Sequence, residues 1–244
     1  MIQVNGLTKM YGNLAAVDNL SFQVQPGEIL GLVGPNGAGK TTTLRCIAGI
    51  LRPSLGSIQV GGNDIVTQAV EAKRLLAFMP DEPQLFDYLT VSEHLQLTAR
   101  IFNVVDAVER SRELLRELEL EGKENALPSE LSRGMRQKLI IACGLLHQPS
   151  AMLFDEPLTG LDPLGIRRMK NTIQSRAASG AAIVVSSHLL HLVEEISTRV
   201  LILQRGKRVA LGTVAELAAD FAAYHDASLE DIFIRATEPG RKGE

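Results

Sequence analysis

Apolar and polar residues alternate from Ile2 to Leu7 and again from Val17 to Val24, the two-residue period of half-buried strands, and Pro26-Gly27 ends the second run with a turn. Glu28 to Val33 predicts a short buried strand, Thr41 to Leu51 a helix, and Gly56 to Val60 with Gly61-Gly62 a further strand and turn. From about Leu85 to Gln148 the pattern becomes helical. Val91 to Phe102 is one helix with Thr90 as its N-cap, and Val105 to Leu120 is another, with Val108, Leu115 and Leu118 on one face. Arg136 to Leu146 is the third. In the second helix Glu113 can pair with Arg110 and Arg116, on a charged face that reads as solvated surface.

Strand patterns return at Ala151 to Phe154, Ala181 to Ser186 and Val200 to Leu203, with a helix from about Pro163 to Ala178 between the first two. Strands alternating with helices predict a parallel sheet covered on both faces. A helical tail follows from Ala215 to Arg235, and the end is expected to be disordered over residues 237–244, Pro239 to Glu244 above all. The chain shows no internal repeat, low-complexity block or heptad pattern.

Composition narrows this picture little. With 244 residues, 45% hydrophobic and 22% charged, the chain suits one large α/β domain. A net charge of −3 gives no support to a nucleic-acid-coating surface. The two cysteines, Cys46 and Cys143, have no metal-like spacing, lie in apolar stretches and read as reduced core residues. The N-terminus lacks the layout of a signal peptide, and runs such as Leu139 to Leu146 fall short of the roughly 18–20 residues that span a bilayer.

The chemistry enters at Gly34-Pro35-Asn36-Gly37-Ala38-Gly39-Lys40-Thr41, which matches the Gly-x-x-x-x-Gly-Lys-Thr phosphate loop between a buried strand and a helix. Glycines let backbone N–H groups turn inward around a phosphate, and the helix N-terminus adds about half a positive charge. Lys40 places a full charge at the β- and γ-phosphates, and the Thr41 hydroxyl can ligand Mg²⁺. Ala151-Met152-Leu153-Phe154-Asp155 then supplies a carboxylate at the end of another buried strand, where it can hold the metal. Glu156 follows at once and can polarise a water for attack on the γ-phosphate.

Together these stretches resemble the nucleotide-binding subunit of an ATP-binding cassette (ABC) transporter, over nearly the full chain. Gly34 to Thr42 resembles that family's Walker A, and Phe154-Asp155-Glu156-Pro157 its Walker B with catalytic glutamate. Leu131-Ser132-Arg133-Gly134-Met135-Arg136-Gln137 resembles the signature motif, and Thr159-Gly160-Leu161-Asp162 the D-loop. Ser187-His188 resembles the switch-histidine loop, and Tyr11-Gly12 the aromatic loop that stacks on adenine. The resemblance implies a P-loop NTPase core of mixed, mainly parallel sheet, with an N-terminal antiparallel β subdomain and an inserted α-helical subdomain. It places one domain over residues 1–236, with the helical insert at about 85–150 and the helical tail at about 213–236.

The resemblance further implies ATP and Mg²⁺ as ligands, and hydrolysis with Glu156, His188 and Lys40 as catalytic groups. It also implies a head-to-tail dimer in which Ser132 and Gly134 touch the γ-phosphate held by the opposite copy, with Asp162 of the D-loop also among the nucleotide-binding residues. Read alone, Leu131 to Gly134 is more often an N-cap and turn, His188 a polar residue after a strand, and Tyr11 a turn aromatic. Two positions depart from the commonest signature, Arg133 in place of glycine and Met135 in place of glutamine. Such variation, with the tail Ser228-Leu229-Glu230-Asp231-Ile232-Phe233, looks like that of ABC-2-type exporter ATPases. The family's Q-loop glutamine aligns with Asp81, which either ligands Mg²⁺ or belongs to a solvated acidic loop.

The expected partners are a second copy and a separate membrane permease docking around Asp81 to Val91, at the cytoplasmic face of the membrane, with no nucleic acid. The chief rival is a soluble ABC ATPase of DNA repair or translation; the long coiled-coil insertion, zinc-binding cysteines or second cassette usual there are missing here. A regulatory ATP clamp without turnover is opposed by Lys40, Asp155, Glu156 and His188, and a GTPase by the lack of an Asn-Lys-x-Asp segment.

Overall fold

A computed structural model describes residues 1–221 and 227–238. Strands β1 (Ile2–Tyr11) and β2 (Leu14–Val24) form one antiparallel hairpin, paired from Ile2 opposite Val24 to Tyr11 opposite Leu14 with register shifts between Val4 and Met10. Both strands extend beyond the expected runs, because the turn falls at Gly12-Asn13 and pairing continues up to it. Ile2, Val4, Leu7, Val17, Leu20 and Val24 are fully buried, so the period-two pattern does select one inward face. With β4 (Leu55–Val60) and β5 (Asn63–Asp64) the hairpin makes a four-stranded antiparallel sheet.

The second sheet holds the fully buried β3 (Ile29–Val33) at its centre. Beside it lie β6 (Leu76–Met79), β7 (Ala151–Asp155), β8 (Ala182–Ser186), β9 (Arg199–Gln204) and β10 (Lys207–Gly212), in the order β10-β9-β3-β8-β7-β6. Only β10 runs antiparallel to its neighbour. This mixed, mainly parallel sheet with an antiparallel partner is the fold class the sequence implies.

Helix α1 (Lys40–Ile47) follows β3 and stops short of Leu51, because the chain turns back at Gly49 and the Ile50 and Leu51 amides both bond the Arg45 carbonyl. The short α2 (Ala69–Arg74) precedes β6. Between β6 and β7 lie α3 (Val91–Phe102), α4 (Ala107–Glu117) and α5 (Arg133–Leu146). Thr90 caps α3 in a reciprocal box with Glu93. In α4, Leu114 and Leu115 are buried and Leu118 beyond it is too, but Val108 is 67% exposed. Val108 shares their face, but the first turn of α4 overhangs an open cleft against Leu95 and Ala99. The expected ion pairs of Glu113 do not form; instead Arg116 meets Glu121, and Arg112 meets Glu109.

After β7 come α6 (Pro163–Ala178), α7 (Leu190–Ile196), α8 (Val214–Asp220) and α9 (Leu229–Thr237). Thr237 closes α9, while the expected disordered stretch from 239 to 244 lies outside the described residues, as do 222–226 of the helical tail. Among the described residues no helix is long and apolar enough to cross a membrane.

Cys46 is buried and Cys143 half-buried, both are free, and burial pushes both thiols up to about 11. Thiolate is therefore scarce at neutral pH. Iodoacetamide at pH 8 should leave both cysteines unmodified in the native chain and alkylate both in urea, read by intact mass; rapid alkylation of the native chain would contradict this packing.

Candidate active site

The register of the parallel strands brings four loops to one edge of the sheet. Leu32 of β3 and Asp155 of β7 both stand opposite Ser186 of β8, and Met79 of β6 stands opposite Phe154. The residues after β3, β6, β7 and β8 therefore emerge side by side at the carboxyl ends, the usual ligand crevice of an open α/β sheet.

The loop after β3 is packed too closely for side chains at two of its glycines. A Cβ on Gly34 would stand 2.5 Å from the Leu203 carbonyl oxygen and 2.8 Å from the Ala38 Cβ. Gly39 has φ +104°, and a Cβ there would stand 2.5 Å from the Ala16 oxygen. The Gly206 amide donates to the Ala38 carbonyl at 3.0 Å, tying the loop to the β9–β10 turn. Lys40, the first residue of α1, is 8% exposed and donates from Nζ to the Gly34 carbonyl at 2.6 Å. Burial lowers its pKa, against the opposing pull of the Glu156 and Asp155 carboxylates.

Asp155 ends β7 almost fully buried and accepts a hydrogen bond from the Ser186 hydroxyl at 2.5 Å. Glu156 follows with φ +52°, a conformation a non-glycine residue adopts at some cost. Its Oε2 accepts three hydrogen bonds, from the Ser187 hydroxyl at 3.1 Å, the His188 amide at 3.3 Å and His188 Nδ1 at 2.9 Å. The ring bond requires the proton on Nδ1. Its Oε1 carries none of these bonds. The carboxylate is thus aimed by one oxygen and left open at the other, the arrangement a general base needs.

A cleft of about 960 Å³ joins these groups. Asn36, Gly37, Ala38, Gly39, Lys40, Thr41 and Thr42 line it from the glycine loop, facing Asp81, Glu156 and His188. Asp155, Gly34 and Pro35 are not among its lining residues. Sequence reasoning missed Leu14, Ala15 and Ala16 of β2 and Arg205 in the β9–β10 turn, and named Thr159 only as the start of the D-loop. Their types carry no signal, since only the sheet topology brings them here.

Four of the expected residues lie elsewhere. Tyr11, at the hairpin tip, is half exposed with Lys9 Nζ 5.4 Å from its ring centre. The exposed Ser132 caps α5 by accepting the Met135 amide, and Gly134 is in the first turn of that helix. Asp162 caps α6 through the Gly165 amide at 2.8 Å. Two of the three positions that depart from the commonest motifs meet, with Arg133 Nη2 3.3 Å from Asp81 Oδ1.

The lowered pKa of Lys40 has a measurable consequence. The folded chain loses this proton at lower pH than the unfolded chain, whose lysine titrates near 10.5. Between the two values the unfolded state binds more protons, so this group's contribution to stability rises with pH through that window. Lys40→Met removes the rise. In urea titrations the stability of the variant relative to the parent should be greatest near neutrality and fall towards pH 10; a difference independent of pH would contradict the burial of this charge.

The comparisons agree with this geometry. The sequence profile of the family described as ABC transporter matches residues 17–159. The ABC-type transporter ATP-binding protein EcsA of Bacillus subtilis (strain 168) is 34% identical over 240 residues, covering 98% of this chain and 97% of the relative. The SkfA peptide export ATP-binding protein SkfE of the same strain is 37% identical over 209 residues, covering 85% and 87%. A solved structure of an ATP binding subunit of an ABC transporter superposes with a TM-score of 0.93 at 33% identity, over 98% of this chain and 100% of the other. With a full-length relative at this identity and a profile match over more than half its residues, the chain belongs to the ABC transporter family as an ATP-binding subunit.

Proposed function

We propose that this chain hydrolyses ATP between two head-to-tail copies and thereby drives export through a separate membrane permease. The observation that carries this reading is the division of the motif residues. Lys40, Thr41, Glu156 and His188 share one cleft, whereas Ser132 and Gly134 stand at the start of α5 outside it. A second copy, turned head to tail, would bring its Ser132 and Gly134 over the open cleft and close it on the γ-phosphate. Export, rather than import, follows the relatives named for it, SkfE among them.

Within the closed site the backbone amides of residues 36–41 and the Lys40 ammonium hold the β- and γ-phosphates. Tyr11, at the end of β1, stacks on adenine. Glu156 takes a proton from water through Oε1 as the water oxygen bonds the γ-phosphorus, and the bond from that phosphorus to the β,γ-bridging oxygen breaks, releasing ADP and phosphate. General bases of this kind contribute about 10²–10⁴ in rate. His188, donating from Nδ1 to Glu156, fixes the base, and its ring lines the cleft where the γ-phosphate would lie. Asp162, as the cap of α6, sets the loop from Glu156 against the facing copy.

Mg²⁺ suits the oxygen donors at hand, Thr41 and Asp155, with Asp81 across the cleft. Among the described residues no three His, Cys, Asp or Glu side chains form a metal cage. That matches an ion arriving with the nucleotide, held mainly by phosphates and water plus one or two protein oxygens. When bound, it would neutralise phosphate charge during the transfer.

The permease contact lies on the loop after Asp81. Tyr88, 91% exposed, lines a groove of about 490 Å³ with Leu85, Leu127, Pro128 and Arg136, and Phe86 nearby in the loop is 61% exposed. A short helix from a permease at the cytoplasmic face of the membrane would seat its apolar side there. Glu156→Gln keeps the shape of the base and removes its basicity. It should abolish phosphate release while ATP converts the chain to a stable dimer in sedimentation velocity; near-normal hydrolysis by that variant would overturn the assignment of the base.

A further inference from the structure

Arg133 is poorly accounted for by the stability of its own chain. It opens the fourteen-residue helix α5, whose first turn holds no acidic residue. A cation there opposes the helix dipole, a mildly unfavourable placement. Its one ion pair, to Asp81, is a single 3.3 Å contact between side chains 57% and 43% exposed. Exposed pairs of that kind contribute little to stability. The two effects roughly cancel. The pairing nonetheless joins two places that matter, since Asp81 lines the nucleotide cleft and Arg133 adjoins Ser132. Arg133 also lies along the loop leaving Glu156, with its Cδ and Nε each 3.8 Å from where a Gly160 Cβ would be.

We propose that Arg133 is a catalytic cation for the nucleotide held by the second copy, and that Asp81 parks it while the chain is nucleotide-free. This rests on the shared-site reading above. A triphosphate entering the cleft sets several negative charges near Asp81 and weakens its hold on Arg133 only if the guanidinium has a better anion to go to. The γ-phosphate presented to Ser132 by the facing copy is that anion. It reverses the helix-dipole conflict, and the planar guanidinium fork can grip two of its oxygens where Asp81 offers one. Arg133 would then stabilise the charge that builds on the transferring phosphoryl group, and no glycine at this position could do so.

Asp81→Asn breaks the same ion pair as Arg133→Ala but leaves the cation in place, and this separates the proposal from a merely structural salt bridge. In the Glu156→Gln background, with ATP in EDTA so that no metal bears on Asp81, the monomer–dimer equilibrium is measured by sedimentation. Adding Arg133→Ala should weaken dimerisation about tenfold or more, adding Arg133→Lys should weaken it less, and adding Asp81→Asn should leave it as tight or tighter, as expected for a bidentate charge-assisted contact. Equal weakening by Arg133→Ala and Asp81→Asn would overturn the proposal in favour of a structural pair. No weakening by Arg133→Ala, while Glu156→Gln alone dimerises, would overturn the role of Arg133 and leave site sharing intact. A Glu156→Gln chain that stays monomeric would remove both.

Discussion

The register of β8 between β3 and β7 is the constraint on which the rest of the molecule depends. Ser186 stands opposite both Leu32 and Asp155, so the glycine loop, the acidic pair and His188 leave the sheet side by side. A slip of one residue in either pairing would send every side chain of the strand to the opposite face. What resists the slip is burial on both sides: all five residues of β3, of β7 and of β8 are buried. The Ser186–Asp155 hydrogen bond then serves two ends. It fixes the rotamer of the buried carboxylate, and it satisfies one of its oxygens.

The charges gathered at this edge are arranged for an absent anion more than for the stability of the free chain. Lys40 is buried enough that its charged form is disfavoured despite two nearby carboxylates. Glu156 sits in a left-handed backbone conformation, which costs a non-glycine residue about 1–2 kcal/mol. Strain of that kind persists where surrounding contacts over-determine it, here three hydrogen bonds on one carboxylate oxygen. A nucleotide's phosphates would relieve the Lys40 penalty directly. Binding and catalytic geometry thus draw on the same local conflicts.

Much of this was legible in the sequence, and the reasons differ by residue. Gly34 to Thr41 could be read because close packing leaves no room for a Cβ at Gly34 or Gly39, and Asp155 because four buried apolar residues announce a strand before it. Thr90 was readable because a cap has a local signature. By contrast β6 and β10 were missed: Leu76 to Met79 is too short to show a period, and β10 begins on the exposed Lys207 and Arg208. The ion pairs of α4 were misassigned because the spacing of Glu113 permits contacts that compete with a better partner for Arg116 in Glu121 beyond the helix end. Arg205 and Ala16 carry no motif; they join the cleft only because the β9–β10 turn and β2 close over the glycine loop. The Arg133–Asp81 contact spans residues far apart in sequence, so each looked like a separate departure when together they form one ion pair.

The account's central claim is that each cleft is completed by another copy. Mixing two inactive chains tests it most directly. Lys40→Ala disables the glycine-loop half of a site. Gly134→Asp disables the half donated from α5 without crowding it, since a Cβ at Gly134 meets nothing nearer than 3.6 Å and an acidic residue suits a helix N-terminus. Phosphate release should be negligible for either chain alone and should reappear in the mixture, where one composite site combines an intact loop from one copy with an intact α5 from the other. A mixture as inactive as its components, under conditions where ATP dimerises them, would contradict the claim.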